Sequence, residues 1–141
     1  TAWTPLGNIP LDQGPLMIVE GSNQFQDLIS QAQAVDYTSS STPLVQLMED
    51  PAALARQRGS RLLTADFRAG DLILFSMTLL HGSLDNQSTT GQTRLSCDVR
   101  WQPATDPIDS RYTGSQPAGT TGAGYGELNG AKPLDEPWHQ R

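Results

Sequence analysis

Apolar residues come along this chain in short bursts separated by polar turns, and the spacing within each burst predicts an element. "LMIVE" (16–20) is rich in β-formers and predicts a strand after the turn "DQGP" (12–15). Trp3 to Ile9 mixes aromatic and branched residues with Pro5 and Gly7, which fits a short or edge strand. "RLLTADF" (61–67) predicts another strand, "RAGD" (68–71) a tight turn, and "LILFSMTLL" (72–80) a strand buried on both faces. That last run stops abruptly at His81, followed by Gly82, Ser83, Asp85 and Asn86. "RLSCDVRW" (94–101) alternates, with Arg94, Ser96, Asp98 and Arg100 on one face and Leu95, Cys97, Val99 and Trp101 on the other.

Two stretches carry helical spacing instead. Phe25, Leu28, Ile29 and Ala32 make one apolar face behind a weak Asn23/Gln26 capping signal. "DPAALARQRG" (50–59) is clearer: Asp50 can cap the free N–H groups and Pro51 suits the first turn. Arg56 and Arg58 complement the C-terminal dipole, and Gly59 can take the left-handed stop. "DYTSSSTP" (36–43) predicts a loop. Strands joined by turns without helical crossovers imply antiparallel pairing, so the expectation is a mainly β fold, a sandwich or barrel with flanking helices. We expect residues 1–102 to form this domain and 103–141, rich in Pro and Gly and poor in apolar residues, to be an extended tail.

Composition narrows the partners. The chain has 141 residues, enough for one domain with a real core, and a formal net charge of −6. An acidic balance disfavours nucleic acid and anionic membrane, both polyanions, and no apolar stretch approaches the roughly 20 residues that span a bilayer. The oligomeric state is left open. One cysteine, Cys97, offers no internal disulfide and fits a reducing compartment, hence a cytoplasmic location. The chain starts at Thr1 without methionine and enters a strand pattern at once, so we expect it to be the C-terminal portion of a longer protein.

Candidate chemistry is sparse. The polar face of 94–101 is either solvated or lines a cavity in which an arginine fork receives a carboxylate. His81 is either a surface residue or a ligand; a metal needs several donors, and the only other histidine is His139. No nucleophile elbow, phosphate-binding glycine loop or zinc pattern occurs.

Three segments, "TAWTPLGNIPLDQGPLMIVEGS" (1–22), "FRAGDLILFSMTLLHGSLDNQS" (67–88) and "RLSCDVRWQPATDPIDSRY" (94–112), together resemble the phytanoyl-CoA dioxygenase family of iron(II)- and 2-oxoglutarate-dependent oxygenases. The middle one is the most specific: Gly-Asp, an apolar run, His-Gly-Ser, an Asn, then an Arg on the following strand. The resemblance implies a double-stranded β-helix (cupin-like, jelly-roll) and a dioxygenase that hydroxylates a small organic substrate with Fe(II) and 2-oxoglutarate. It implies that His81 is the distal histidine of the iron triad and that Arg94 pairs with the far carboxylate of 2-oxoglutarate. By the same resemblance Ser96 supports that carboxylate, and Trp3 stands near the cosubstrate pocket.

The chain departs from the family pattern in three places. The family's His-x-Asp motif, which supplies the other two iron ligands upstream of Trp3, is absent, so these 141 residues on their own are expected to bind iron poorly. The His81–Arg94 loop is slightly long, and Asn23 stands where many members have a histidine after Gly-Ser. Two rival readings remain: a non-catalytic β-sandwich that binds a small acid or sugar, or a pseudoenzyme; and a cupin-type metal isomerase, which would not need the Arg94 clamp.

Overall fold

The computed structural model of the protein describes residues 1–34, 48 and 50–108. They fall into two compact units. The first, Thr1–Ile29 with Met48–Gln102, holds two three-stranded antiparallel sheets. The second takes Ser30–Leu47 and Pro103–Arg141; its described residues are 30–34 and 103–108, the latter with a turn in which Asp106 N–H donates to the Pro103 carbonyl at 3.0 Å. The loop expected at 36–43 and the tail beyond residue 108 lie outside the described residues.

Sheet one has the order β4-β1-β6, with β1 at Ala2–Pro5, β4 at Ile73–Leu74 and β6 at Ser96–Val99. Sheet two has the order β3-β2-β5, with β2 at Leu16–Val19, β3 at Leu62–Leu63 and β5 at His81–Ser83. Each sheet is therefore built from non-consecutive strands, and the chain crosses between sheets repeatedly. Directly opposed residues share a face, so register fixes what points where. In sheet one Trp3 is opposite Ile73 and Asp98, and Pro5 is opposite Ser96. In sheet two Leu16 is opposite Ser83, and Ile18 is opposite both His81 and Leu63.

These faces meet in one core, where buried Trp3, Ile9 and Leu16 pack with Phe67, Ile73 and Phe75. Trp3 retains 1% of its exposure and meets Phe67 edge-on at 4.9 Å between ring centres. Two helices complete the described part. α1 (Gln26–Gln33) follows a 3-10 turn at Ser22–Gln24, and its apolar face is only half-buried. α2 (Pro51–Gln57) starts as its sequence requires: the Asp50 side chain accepts from Ala53 N–H at 2.7 Å, and Gly59 takes a left-handed φ of 62° beyond its end. Leu54 and Ala55 are buried, and α2 contacts β3. The turn at 68–71 also forms as expected, with Arg68 N–H donating to Asp71 Oδ2 at 2.7 Å.

One expectation fails here. The run 72–80 is not one strand: β4 stops at Leu74, a turn closes with Leu79 N–H on the Ser76 carbonyl at 3.2 Å, and Met77 is 91% exposed. The turn carries the chain from sheet one to sheet two, so His81 opens a new strand rather than ending an old one. On β6 the apolar side, Leu95, Cys97, Val99 and Trp101, is the exposed one: Leu95 is 67% exposed and Trp101 70%. Val99 is opposite Ala2 and Cys97 opposite Thr4, which turns this apolar side away from Trp3 and the core. Alternation identifies two faces but not which is covered.

Candidate functional site: an arginine clamp between two sheets

The same register turns the start of the polar side of β6 inward, while Asp98 and Arg100 stay exposed. Arg94 and Ser96 are half-buried on the face that carries Trp3, and His81 and Ser83 project from sheet two on the face of Leu16 and Ile18. The gap between the sheets therefore has an apolar floor and a polar end.

Arg94 organises that end. Its Nη1 donates to Ser96 Oγ at 2.6 Å, its Nη2 donates to Ser83 Oγ, and the guanidinium carbon lies 5.9 Å from the Trp3 ring centre. That distance suits a cation on an aromatic face. The two hydroxyls come from different sheets, so the fork bridges them. Among the described residues no carboxylate pairs with Arg94. The two described ion pairs use other arginines. Arg61 grips Glu20 through two hydrogen bonds of 2.7 and 2.8 Å, and Arg58 binds Asp27. These bonds hold both carboxyls below their ordinary pKa and raise that of Arg61.

His81 stands beside this group rather than in it. Its ring packs on Phe75 at 4.6 Å between centres, and Nδ1 is 2.8 Å from the Leu79 carbonyl. A carbonyl can only accept, so Nδ1 carries the hydrogen in that bond. In the neutral ring Nε2 is then left with a free lone pair, the tautomer a metal ligand needs. The imidazole is exposed. Among the described residues no three His, Cys, Asp or Glu side chains lie close enough to hold a metal ion.

Of the four residues expected at the site, the structure brings Trp3, Arg94 and Ser96 into contact and ties them through Ser83 to the strand of His81. Ser83 was not anticipated. The signal was available, since it lies two residues from His81 on a strand and so shares its face. The apolar pocket lined by Leu16, Ile18, Leu63, Thr64, Phe67 and Ile73 holds about 170 Å³, below the ~300–1,000 Å³ of small-ligand sites, and has no charged side chain. The polar end is the better candidate.

Among known families, the model of the family Phytanoyl-CoA dioxygenase matches residues 1–95 of the 141. The match includes His81, Ser83 and Arg94 and stops just before Ser96. No curated protein and no solved structure matches the chain.

Proposed function

The chain belongs to the phytanoyl-CoA dioxygenase family, and from that premise we propose that it is the part of an iron(II)- and 2-oxoglutarate-dependent oxygenase that receives the cosubstrate. The observation that carries this is Arg94, half-buried between the sheets with Ser83 and Ser96 on its two Nη atoms. A guanidinium so held has lost rotamer freedom before any ligand arrives, which favours planar paired recognition of a carboxylate. Each serine oxygen accepts from Arg94 and keeps its own O–H, so both hydroxyls can turn toward the same anion. The Trp3 ring lies 5.9 Å from the guanidinium carbon, near enough for its face to attract the cation.

The interleaved order of the two sheets, β1 with β4 and β6 and β2 with β3 and β5, supports a double-stranded β-helix over residues 1–102. His81 contributes one donor, Nε2, at the same end. The chemistry proposed for the described residues is binding and orientation of the keto acid; among them no three candidate ligands cluster around His81. The substrate to be hydroxylated is a small organic molecule of undefined class.

The test is anaerobic calorimetric titration of the full-length protein, with iron(II) present to hold the keto-acid end, using 2-oxoglutarate and 2-oxobutyrate, which keeps the keto acid but lacks the far carboxylate. Losing two charge-assisted hydrogen bonds should cost about 3 kcal/mol, so Arg94→Ala should weaken 2-oxoglutarate binding by about a hundredfold. Binding of 2-oxobutyrate should hardly change. If Arg94→Ala binds both ligands as the parent does, the clamp reading is wrong. Iron(II)-dependent oxygen consumption in the presence of 2-oxoglutarate then separates an oxygenase from a non-catalytic acid-binding sandwich.

A further inference from the structure

Arg94 reaches Ser83 only if the connection from β5 to β6 delivers it to the right place. That connection, "LDNQSTTGQT" (84–93), is polar throughout except Leu84, which is half-buried. A polar loop crossing between sheets would ordinarily fluctuate, because ordering it gains little burial.

Its first half is not free. Leu84 N–H donates to the Pro15 carbonyl at 3.0 Å, Gln13 and Asn86 form an antiparallel bridge, and Gln87 N–H donates to the Asp12 carbonyl at 2.7 Å. The β2–β5 pairing thus continues past Ser83 along the turn before β2. Its second half hangs on one side chain. Asn86 Oδ1 accepts from Ser88 N–H at 2.9 Å; an N–H can only donate, so the amide is oriented and Nδ2 points the other way. There Nδ2 donates to the Gln92 carbonyl at 2.8 Å, and the Gln92 side chain accepts from Gln13 Nε2 at 2.8 Å. Gln92 lies two residues before Arg94.

We propose that Asn86 is a positioning residue for Arg94: its amide closes the β5–β6 loop against the turn before β2 and so sets where the guanidinium stands relative to Ser83. This rests on the carboxylate-clamp reading. Asn86 touches no ligand; it acts through Arg94.

The experiment is a double-mutant cycle, read as the preference for 2-oxoglutarate over 2-oxobutyrate in calorimetry. Asn86→Asp keeps the acceptor for Ser88 N–H and turns the donor to Gln92 into a repelling oxygen. It should cut the preference by about tenfold, the scale of one hydrogen bond replaced by a repulsive contact. In an Arg94→Ala background the same substitution should change nothing further. Plain charge repulsion from the new carboxylate would persist in that background, so the cycle tells the two apart. Gln13→Ala, which removes only the side-chain tie to Gln92, should give a smaller loss of the same kind, and it decides the matter if Asn86→Asp does not fold. An unchanged preference in the folded variant, or an equal loss with and without Arg94, overturns the positioning role while leaving the clamp intact. If the parent has no preference, or Arg94→Ala keeps it, the clamp reading itself fails and the positioning role goes with it.

Discussion

Gly14 is the position where a single methyl group should do the most harm. Its φ of 69° lies in the left-handed region, and a Cβ placed there would stand 2.4 Å from the Leu84 carbonyl oxygen and 3.1 Å from Asn86 N. Both are backbone atoms, so no side chain can swing aside. Restoring an ordinary contact of 3.4 Å requires the strands to part by about 1 Å, which breaks the 3.0 Å bond from Leu84 N–H to the Pro15 carbonyl. The left-handed conformation costs about 1–2 kcal/mol for a residue with a Cβ, and the overlap costs about 1–3 kcal/mol. Gly14→Ala should therefore lose about 2–5 kcal/mol, a large share of the ~5–15 kcal/mol that holds a domain folded. The assay is urea denaturation followed by circular dichroism. With a slope of ~1–3 kcal/mol per M, the midpoint should fall by at least about 0.7 M. Gly7→Ala is the control, because nothing lies within 4 Å of a Cβ there and its φ is not left-handed; it should move stability by no more than about 0.5 kcal/mol. Equal costs at the two glycines would refute the close-approach reasoning.

Two further outcomes follow from the structure. Ser22, 1% exposed, accepts from Leu80 N–H at 2.8 Å just before His81, so Ser22→Ala strands a donor and should cost about 1–3 kcal/mol in the same assay; a loss below about 0.5 kcal/mol would mean water takes its place. The depressed carboxyls of Glu20 and Asp27 add stability that is fully present above their unfolded pKa and is lost as pH falls through their lower folded values. Asp27 is exposed and Glu20, half-buried as a residue, keeps its side chain 43% exposed, so the effect is small and shrinks with salt. Glu20→Gln and Asp27→Asn should each flatten the fall in urea midpoint between neutral and strongly acidic pH, most visibly at low ionic strength, and a slope identical to the parent's would rule their pairs out as contributors.

Much was legible in the residues themselves wherever physics is local. The Asp50 cap, Pro51, the stop at Gly59 and the Arg68–Asp71 turn each depend on a few neighbouring atoms, and each formed as its sequence requires. The inward role of Arg94 and Ser96 was also within reach, since the period of a strand ties them to one face. What a linear pattern could not supply was which face is covered and where the chain turns. The apolar side of β6 looks like a core by composition, yet register against β1 sends Leu95 and Trp101 outward; the run 72–80 looks like one strand, yet Ser76 to Leu79 turn it from one sheet to the other. Ser83 joins the clamp because two strands distant in sequence meet across that gap. Hydrophobicity is a property of single residues, whereas burial belongs to pairs of surfaces. Only the assembled sheets decide which surfaces meet.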